Sequence, residues 1–393
     1  RLAVDHPFHT LYPLYALRNG EVGGAAARGS KAVHEVASGA MEHRADRDKV
    51  AAAKALLDTL ARCPHMWRSP ERAQLVADVG GVVAAYIELS NLPHSANTDS
   101  QPFPQALRRR LCVQSVPPVS LSLPVDPSCA YDPTSLPHAA RWHEQIAFCG
   151  GINAPKVVKC WDAGGTCYKH LVKSGNDDLR QDAVMEQFFG LVNALLAHDR
   201  GACARGLCMV TYKVVPFNPT AGLVEWVQDT SAMADYLLGT NRNGGAHVRY
   251  ARPGQTSFIT ACNTLRTAGM ERDAVRALRA TYDDICAKFP PVMRHYFLEG
   301  WRSPRAWAAA RTTYVRSVAV TSVAGWAIGL GDRHAGNILL HNPTGAVVHI
   351  DLGVAFEQGR LLNTPELVPF RLTRDMVDGC GVAGVAGPLA RCC

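Results

Sequence analysis

The sequence contains no Cys-x-x-Cys pair and no His-x-x-x-His partner, although it holds 13 cysteines. That absence excludes the common tetrahedral zinc modules, and an odd, scattered set of thiols reads as reduced cysteines of a cytosolic or nuclear protein. No secretory signal is present. Nor is there an apolar run long enough for a membrane: the longest, 315–330, is interrupted by Ser317, Thr321 and Ser322 and falls short of the roughly 20 residues that a span requires. It reads as a buried core helix. Charge of one sign is not in large excess either. A net charge of +7 over 393 residues suits an acidic partner such as ATP, nucleic acid or a membrane surface, and selects none of them. The chain opens on Arg1 and stops at Arg391-Cys392-Cys393 without a capping or Gly/Pro stop signal, which predicts a fragment at both ends.

What is present suffices for two or three cores, since domains hold roughly 100 to 200 residues each. Residues 1–112 read as helical, with apolar positions at helical spacing over 49–62 and 71–92 and breaks at Pro64 and Pro70. The Gly/Ala-rich run 20–39 reads as a flexible insertion. Residues 113–145 hold Pro117, Pro118, Pro124, Pro127, Pro133 and Pro137 among serines, the composition of a linker at a domain boundary. Strands are expected at 156–161 and 167–172, joined by a Gly turn at Asp162-Ala163-Gly164-Gly165-Thr166. A helix over 178–197 follows, then strands at 207–215 and 223–227. Beyond Ser231 the pattern is mostly helical, best over 271–289, 291–298 and 304–329. The expected fold is α+β and bilobal: a small β-rich lobe over 146–227 and a larger helical lobe over 228–393, with a cleft between them.

The richest segment for chemistry is Gly329-Leu330-Gly331-Asp332-Arg333-His334-Ala335-Gly336-Asn337, a loop between a long helix and a strand. Twelve residues past Leu339, at the end of the apolar strand 346–350, stands Asp351 in His349-Ile350-Asp351-Leu352-Gly353. Phosphoryl transfer needs groups that hold Mg²⁺ on the phosphates, a positive charge on those phosphates, and a group that orients or deprotonates the attacking hydroxyl. Asp332 precedes Asn337 by the same five positions as the Asp and Asn of the protein-kinase H-R-D-x-x-x-x-N loop, and Asp-Leu-Gly stands where those enzymes have Asp-Phe-Gly. Asn337 and Asp351 are therefore the candidate metal ligands, oxygen donors of the kind that this hard cation takes. Asp332 and His334 are the candidate catalytic pair. Imidazole, as a class of side chain, titrates near working pH and serves either as base or as hydrogen-bond donor, and the sequence leaves that division open.

These segments, with Asp178-Leu179-Arg180-Gln181-Asp182 upstream, resemble the signature segments of the phosphatidylinositol-3/4-kinase superfamily. Gly150-Gly151-Ile152-Asn153-Ala154-Pro155-Lys156, Thr211-Tyr212-Lys213-Val214-Val215-Pro216, the run 349–359 and the run 368–375 are similar to the ataxia-telangiectasia-mutated (ATM/Tel1) branch of the phosphatidylinositol-3-kinase-like protein kinases. The likeness runs from about residue 146 to the end, and Asp5-His6-Pro7-Phe8-His9-Thr10-Leu11 resembles the end of that family's helical FAT region. The resemblance implies Lys173 as the phosphate-binding lysine, Asp182 as its acidic partner and Tyr212 as lining of the nucleotide pocket. It further implies Glu225, Trp226 and Val227 as the hinge at the adenine edge, with Leu339 and Ile350 as an apolar floor. An extra residue in Ser174-Gly175-Asn176, relative to the family pattern, bears on the loop after Lys173.

The resemblance also implies ATP with Mg²⁺, Mn²⁺ being the alternative ion. Implied too are protein substrates with Ser/Thr-Gln sites, DNA-damage and cell-cycle signalling in the nucleus, dimerisation through the helical region and recruitment by a double-strand-break sensor complex. No direct membrane contact is expected. The acceptor class can be read from charge, because a phosphoinositide head group demands clustered Lys or Arg. Between Gly353 and Phe370 the only base is Arg360, against Glu357 and Glu366, which favours a protein acceptor. A lipid kinase and a non-catalytic scaffold are the other readings, the latter disfavoured because Lys173, Asp332, His334, Asn337 and Asp351 are all present. A nucleic-acid-binding module would rest on Arg108-Arg109-Arg110, which without interleaved aromatics reads as a solvated turn.

Overall fold

The protein is described here by a computed structural model covering residues 1–20, 39–94, 98–132, 135–149, 154–175, 179–239, 244–270 and 273–393, without the side chains of 39–45 and 71. Most of the expected insertion 20–39, Gly150 to Asn153, and Asn176 to Asp178 lie outside those residues. The described chain forms two compact units, Arg1–Gln187 with Tyr212–Trp226, and Phe188–Thr211 with Val227–Cys393. The first unit holds a sheet and the second is mostly helical, an α+β architecture as expected.

The sheet of the first unit is antiparallel throughout. Its strands are β1 (Ser100–Pro102), β2 (Arg141–Trp142), β3 (Gln145–Phe148), β4 (Lys156–Trp161), β5 (Cys167–Ser174), β6 (Val214–Asn218) and β7 (Ala221–Glu225), in the order β1-β3-β4-β5-β7-β6 with β2 paired to β4. The β4–β5 hairpin turns where the sequence places it. Asp162 accepts the N–H of Gly165 on its carbonyl at 3.1 Å and that of Thr166 on Oδ1 at 2.8 Å. Gly165 adopts φ +88°, a conformation that glycine reaches without steric cost.

Helix Gln74–Ser90 buries Leu75, Val76, Val79, Val82, Val83, Tyr86 and Leu89 along one face, and packs on β5, β6, β7 and helix Pro7–Arg18. Tyr86 stacks on Phe217 with ring centroids 5.3 Å apart. Burying an apolar side chain of that size contributes roughly 1.5–3 kcal/mol. Lys156 sends Nζ 2.8 Å to the carbonyl of Ser90, so the cation meets an orphan acceptor at the end of that helix. Residues 113–145, a linker by composition, contribute Val116, Val119, Tyr131 and Ala139 to the same core. These apolar residues stand near and between prolines and are buried all the same.

Strand structure over 207–215 was expected, but the strand begins only at Val214. Upstream of it the backbone is served by helix side chains: Asn193 brackets Met209 through both its amide atoms, and Glu186 accepts the N–H of Tyr212. The arginine cluster ends helix Gln105–Arg110, where Arg108 reaches Glu144 and the carbonyl of Phe103 while Arg110 pairs with Glu88.

Buried His170 bridges Tyr86 Oη at 2.9 Å and Ser120 Oγ at 2.8 Å, and burial pushes its pKa down to about 3. With the folded value below the unfolded one, its contribution to stability is present above about pH 6.5 and is lost as the pH falls toward 3. The melting temperature is therefore expected to drop over that window, and less so in His170→Asn. Equal slopes of melting temperature against pH for the two proteins would count against this account.

In the second unit, helix Pro304–Ala327 starts from a Ser303 cap that accepts the N–H of Ala306, with Pro304 in the first turn. Tyr314, Val315, Val318 and Ala319 on this helix are buried with Ile338, Leu340 and Val347. Those last residues belong to a three-stranded sheet of β8 (Thr230–Ala232), β9 (Ile338–His341) and β10 (Val347–His349), in the order β10-β9-β8. No helix among the described residues is long and apolar enough to cross a membrane.

Candidate active site

The β9–β10 hairpin gathers the second unit's candidates. Its register pairs Ile338 with His349, so the residue before β9, Asn337, meets the residue after β10, and Ile350 donates its N–H to the carbonyl of Asn337 at 3.0 Å. Asn337 Nδ2 donates to the carbonyl of Asp332 at 3.0 Å and reaches Asp332 Oδ2 at 3.4 Å. Asp332, Asn337 and Asp351 are thus drawn together by one hairpin and its two flanking loops. Asp332 and Asp351 both take left-handed backbone, φ +56° and +58°, which aspartate tolerates better than most side chains.

Arg333 explains how that backbone is held. Its side chain is buried, and the guanidinium donates to the carbonyls of Gly331 at 2.8 Å, Ile350 at 2.7 Å and Asp351. By sequence it was only the middle of a triplet. Glu366 is a second residue that the sequence did not single out for a role here: its Oε2 accepts the N–H of Asp332 at 2.7 Å. A Cβ on Gly331 would fall 2.9 Å from that same oxygen, and one on Gly359 2.7 Å from it, so both glycines make room for the carboxylate. His334 is exposed, and its Nδ1 accepts the N–H of Gly336 at 3.1 Å, which leaves Nε2 to carry the proton of a neutral ring. Leu339 pairs with Val348, and Ile350 follows two residues later, so Leu339 and Ile350 share the hairpin face opposite Ile338 and Leu340.

In the first unit Lys173 stands on β5 opposite Gly222 on β7. A Cβ at Gly222 would lie 2.9 Å from the carbonyl oxygen of Val215 on the neighbouring strand and 2.7 Å from Leu179 Cδ1, so glycine suits the close approach of β6 and β7 there. Asp182, in the first turn of helix Leu179–His198, is 5% exposed, and Tyr212 is buried as well. The N–H groups of Glu225 and Trp226 donate to the carbonyls of Lys213 and Lys169. Both are therefore engaged within the unit, and an adenine-edge contact would fall to other backbone groups of 225–227. Lys169 Nζ sits 3.3 Å from the centroid of the Trp226 ring, a cation–π contact, and the Val227 carbonyl accepts from Thr230 Oγ1 at 2.9 Å.

The donor set suits Mg²⁺. Among the described residues no group of three His, Cys, Asp or Glu side chains could hold a metal ion. Mg²⁺ commonly takes one or two protein oxygens and completes its shell with water and substrate phosphates. Because Asn337 Nδ2 donates to the carbonyl of Asp332, Oδ1 is the side-chain atom that would serve a cation.

The chain belongs to the phosphatidylinositol 3- and 4-kinase family, whose pattern, described as "Phosphatidylinositol 3- and 4-kinase", matches residues 168–393. Within it, the chain is 43% identical to "Serine/threonine-protein kinase ATM" of Arabidopsis thaliana over 397 residues, covering all of this chain and 10% of that protein. Two solved structures, described as "FAT and kinase domain of CtTel1" and "Complete CtTel1 dimer with C2 symmetry", each superpose with a TM-score of 0.82 at 33% identity. Each match covers all of this chain, with 25% and 14% of the respective solved chains. The chain thus spans about a tenth of the length of the curated relatives that it matches.

Proposed function

We propose that this chain is the catalytic portion of a serine/threonine protein kinase of the ATM/Tel1 type, transferring the γ-phosphoryl group of Mg·ATP to Ser or Thr followed by Gln. The observation that carries the reading is the gathering of Asp332, Asn337 and Asp351 around the β9–β10 hairpin, with Arg333 fastening the backbone on which they stand. Asn337 and Asp351 hold Mg²⁺, which when bound neutralises charge on the phosphates. Lys173, backed by Asp182, supplies the positive charge on the phosphates. Tyr212, the segment 225–227, Leu339 and Ile350 contact the nucleoside, and Asp332 with His334 manages the acceptor hydroxyl and its proton.

A protein acceptor is favoured over a lipid by the segment that follows Asp351. Its only base before Phe370, Arg360, lies 3.4 Å from Glu357 Oε2, so even that charge is partly met within the segment. Leu367 and Val368 are exposed between Pro365 and Pro369, a stiff apolar stretch suited to a neutral side chain. The likeness to ATM and to CtTel1, one structure of which is described as a dimer, supports a kinase that dimerises. Its place in nuclear DNA double-strand-break signalling, with recruitment by a break-sensor complex, is proposed on the sequence resemblance alone.

The test offers Ser-Gln, Ser-Leu and Ser-Ala peptides and phosphatidylinositol to the full-length protein side by side. The Gln peptide is expected to be preferred by well over tenfold in kcat/KM, since a site that hydrogen-bonds its substrate rejects analogues lacking those bonds. Equal constants for the three peptides would refute the specificity, and robust lipid phosphorylation would move the chain to the lipid branch.

A further inference from the structure

The first unit holds a buried carboxyl group to which the reading above gives no task. Glu186 lies one helical turn beyond Asp182 on helix Leu179–His198, the i, i+4 spacing that places both on one face. It is 7% exposed. Its Oε2 accepts the N–H of Tyr212 at 3.1 Å, while Oε1 is buried with no hydrogen-bond partner. The next residue is gripped from β7: Lys213 donates its N–H to Glu225 Oε2 at 2.9 Å, and its carbonyl accepts the N–H of Glu225 at 2.8 Å. The dipeptide Tyr212-Lys213 is therefore clamped between two carboxyl groups, one from the helix that carries Asp182 and one from the strand that leads into 225–227.

We propose that Glu186 is a positioning residue, fixing the helix that carries Asp182 against the segment that carries Tyr212 and thereby setting the shape of the nucleotide-binding surface of the first unit. This rests on the nucleotide reading given above. The groups facing Glu186 are Asp182 on its own helix, Tyr212 on the clamped segment and Glu225 on β7. Burial, then the neighbouring charges of Asp182 and Glu225, push its carboxyl up to about 8 against the opposing pull of the Tyr212 N–H. Lys213 does not neutralise it, because its ammonium is turned to the carbonyl of Leu121 at 2.7 Å. A neutral acid satisfies Tyr212 without stranding a charge in the core, and a glutamine amide would do the same.

The experiment measures the dissociation constant of Mg·ATP and the melting temperature of the full-length protein for wild type, Glu186→Ala and Glu186→Gln. Loss of the acceptor in Glu186→Ala leaves the Tyr212 N–H buried and unmet, and is expected to weaken ATP binding about tenfold. Glu186→Gln is expected to restore most of that loss. The raised folded value means that wild-type stability from this group is complete below about pH 4.5 and is lost as the pH rises to about 8. Glu186→Gln should therefore gain melting temperature over wild type progressively across that window. An unchanged ATP constant in Glu186→Ala, beside normal wild-type binding, overturns the role of Glu186 alone, as does a Gln-minus-wild-type melting difference that does not vary with pH. Failure of the wild-type protein to bind ATP at all overturns the nucleotide reading, and this inference with it.

Discussion

Asp351→Asn and Asp351→Ala are each expected to lower kcat by about 100-fold to 1,000-fold or more, the scale of removing a group that stabilises transition-state charge. The side chain of Asp351 is exposed, whereas its carbonyl is held by Arg333, so truncation removes the carboxylate without opening a core or freeing the loop. The two substitutions differ in one useful respect. At φ +58° asparagine is tolerated nearly as well as aspartate, while alanine adds strain of roughly 1 kcal/mol. If the loss is chemical, both variants lose rate alike and Asp351→Asn keeps the wild-type melting temperature. Near-normal turnover by a folded Asp351→Asn enzyme would remove Asp351 from the metal site.

That a candidate site could be read from the sequence at all follows from its construction. Asp332, Asn337 and Asp351 are close in the chain, and the element that unites them is a local hairpin, so spacing carried the information. The hairpin β4–β5 and helix Gln74–Ser90 were legible for the same reason, each being specified by a period or a turn within a few residues. What escaped depends on partners far away in sequence. Glu366 meets Asp332 across 34 positions, and Glu186 meets Tyr212 across 26. A buried arginine that donates to three backbone carbonyls, like Arg333, leaves little in the sequence pattern to announce those contacts. The extended stretch before Val214 misled because alternation reports a buried extended chain, whether its backbone is met by a strand or, as at Met209 and Tyr212, by side chains. The prolines of 113–145 suggest a linker by composition and say nothing of where Val116 and Val119 pack.

The sequence left the division of labour between Asp332 and His334 open, and the local hydrogen bonds support the proposal of one division over the other. His334 Nδ1 is occupied as an acceptor by the Gly336 N–H, so a neutral ring presents the proton on Nε2, suited to donating toward a phosphoryl oxygen rather than taking a proton from the acceptor hydroxyl. Asp332 offers carboxylate oxygens, and its position is fixed at three atoms: its N–H on Glu366, and its carbonyl and Oδ2 on Asn337. A pre-oriented acceptor of that kind is what a group orienting or deprotonating a hydroxyl requires. Asp332→Asn, which keeps the shape and tolerates φ +56°, is therefore expected to lose about 100-fold to 10,000-fold in kcat with little change in the KM for ATP. His334→Asn keeps a donor of different reach and should lose less, on the order of tenfold to 100-fold, also mainly in kcat. Single-turnover rates with a Ser-Gln peptide at saturating Mg·ATP separate these effects from product release. A larger loss in His334→Asn than in Asp332→Asn would reverse the assignment, and a loss appearing mainly in the KM for ATP would place Asp332 with the nucleotide instead of the acceptor.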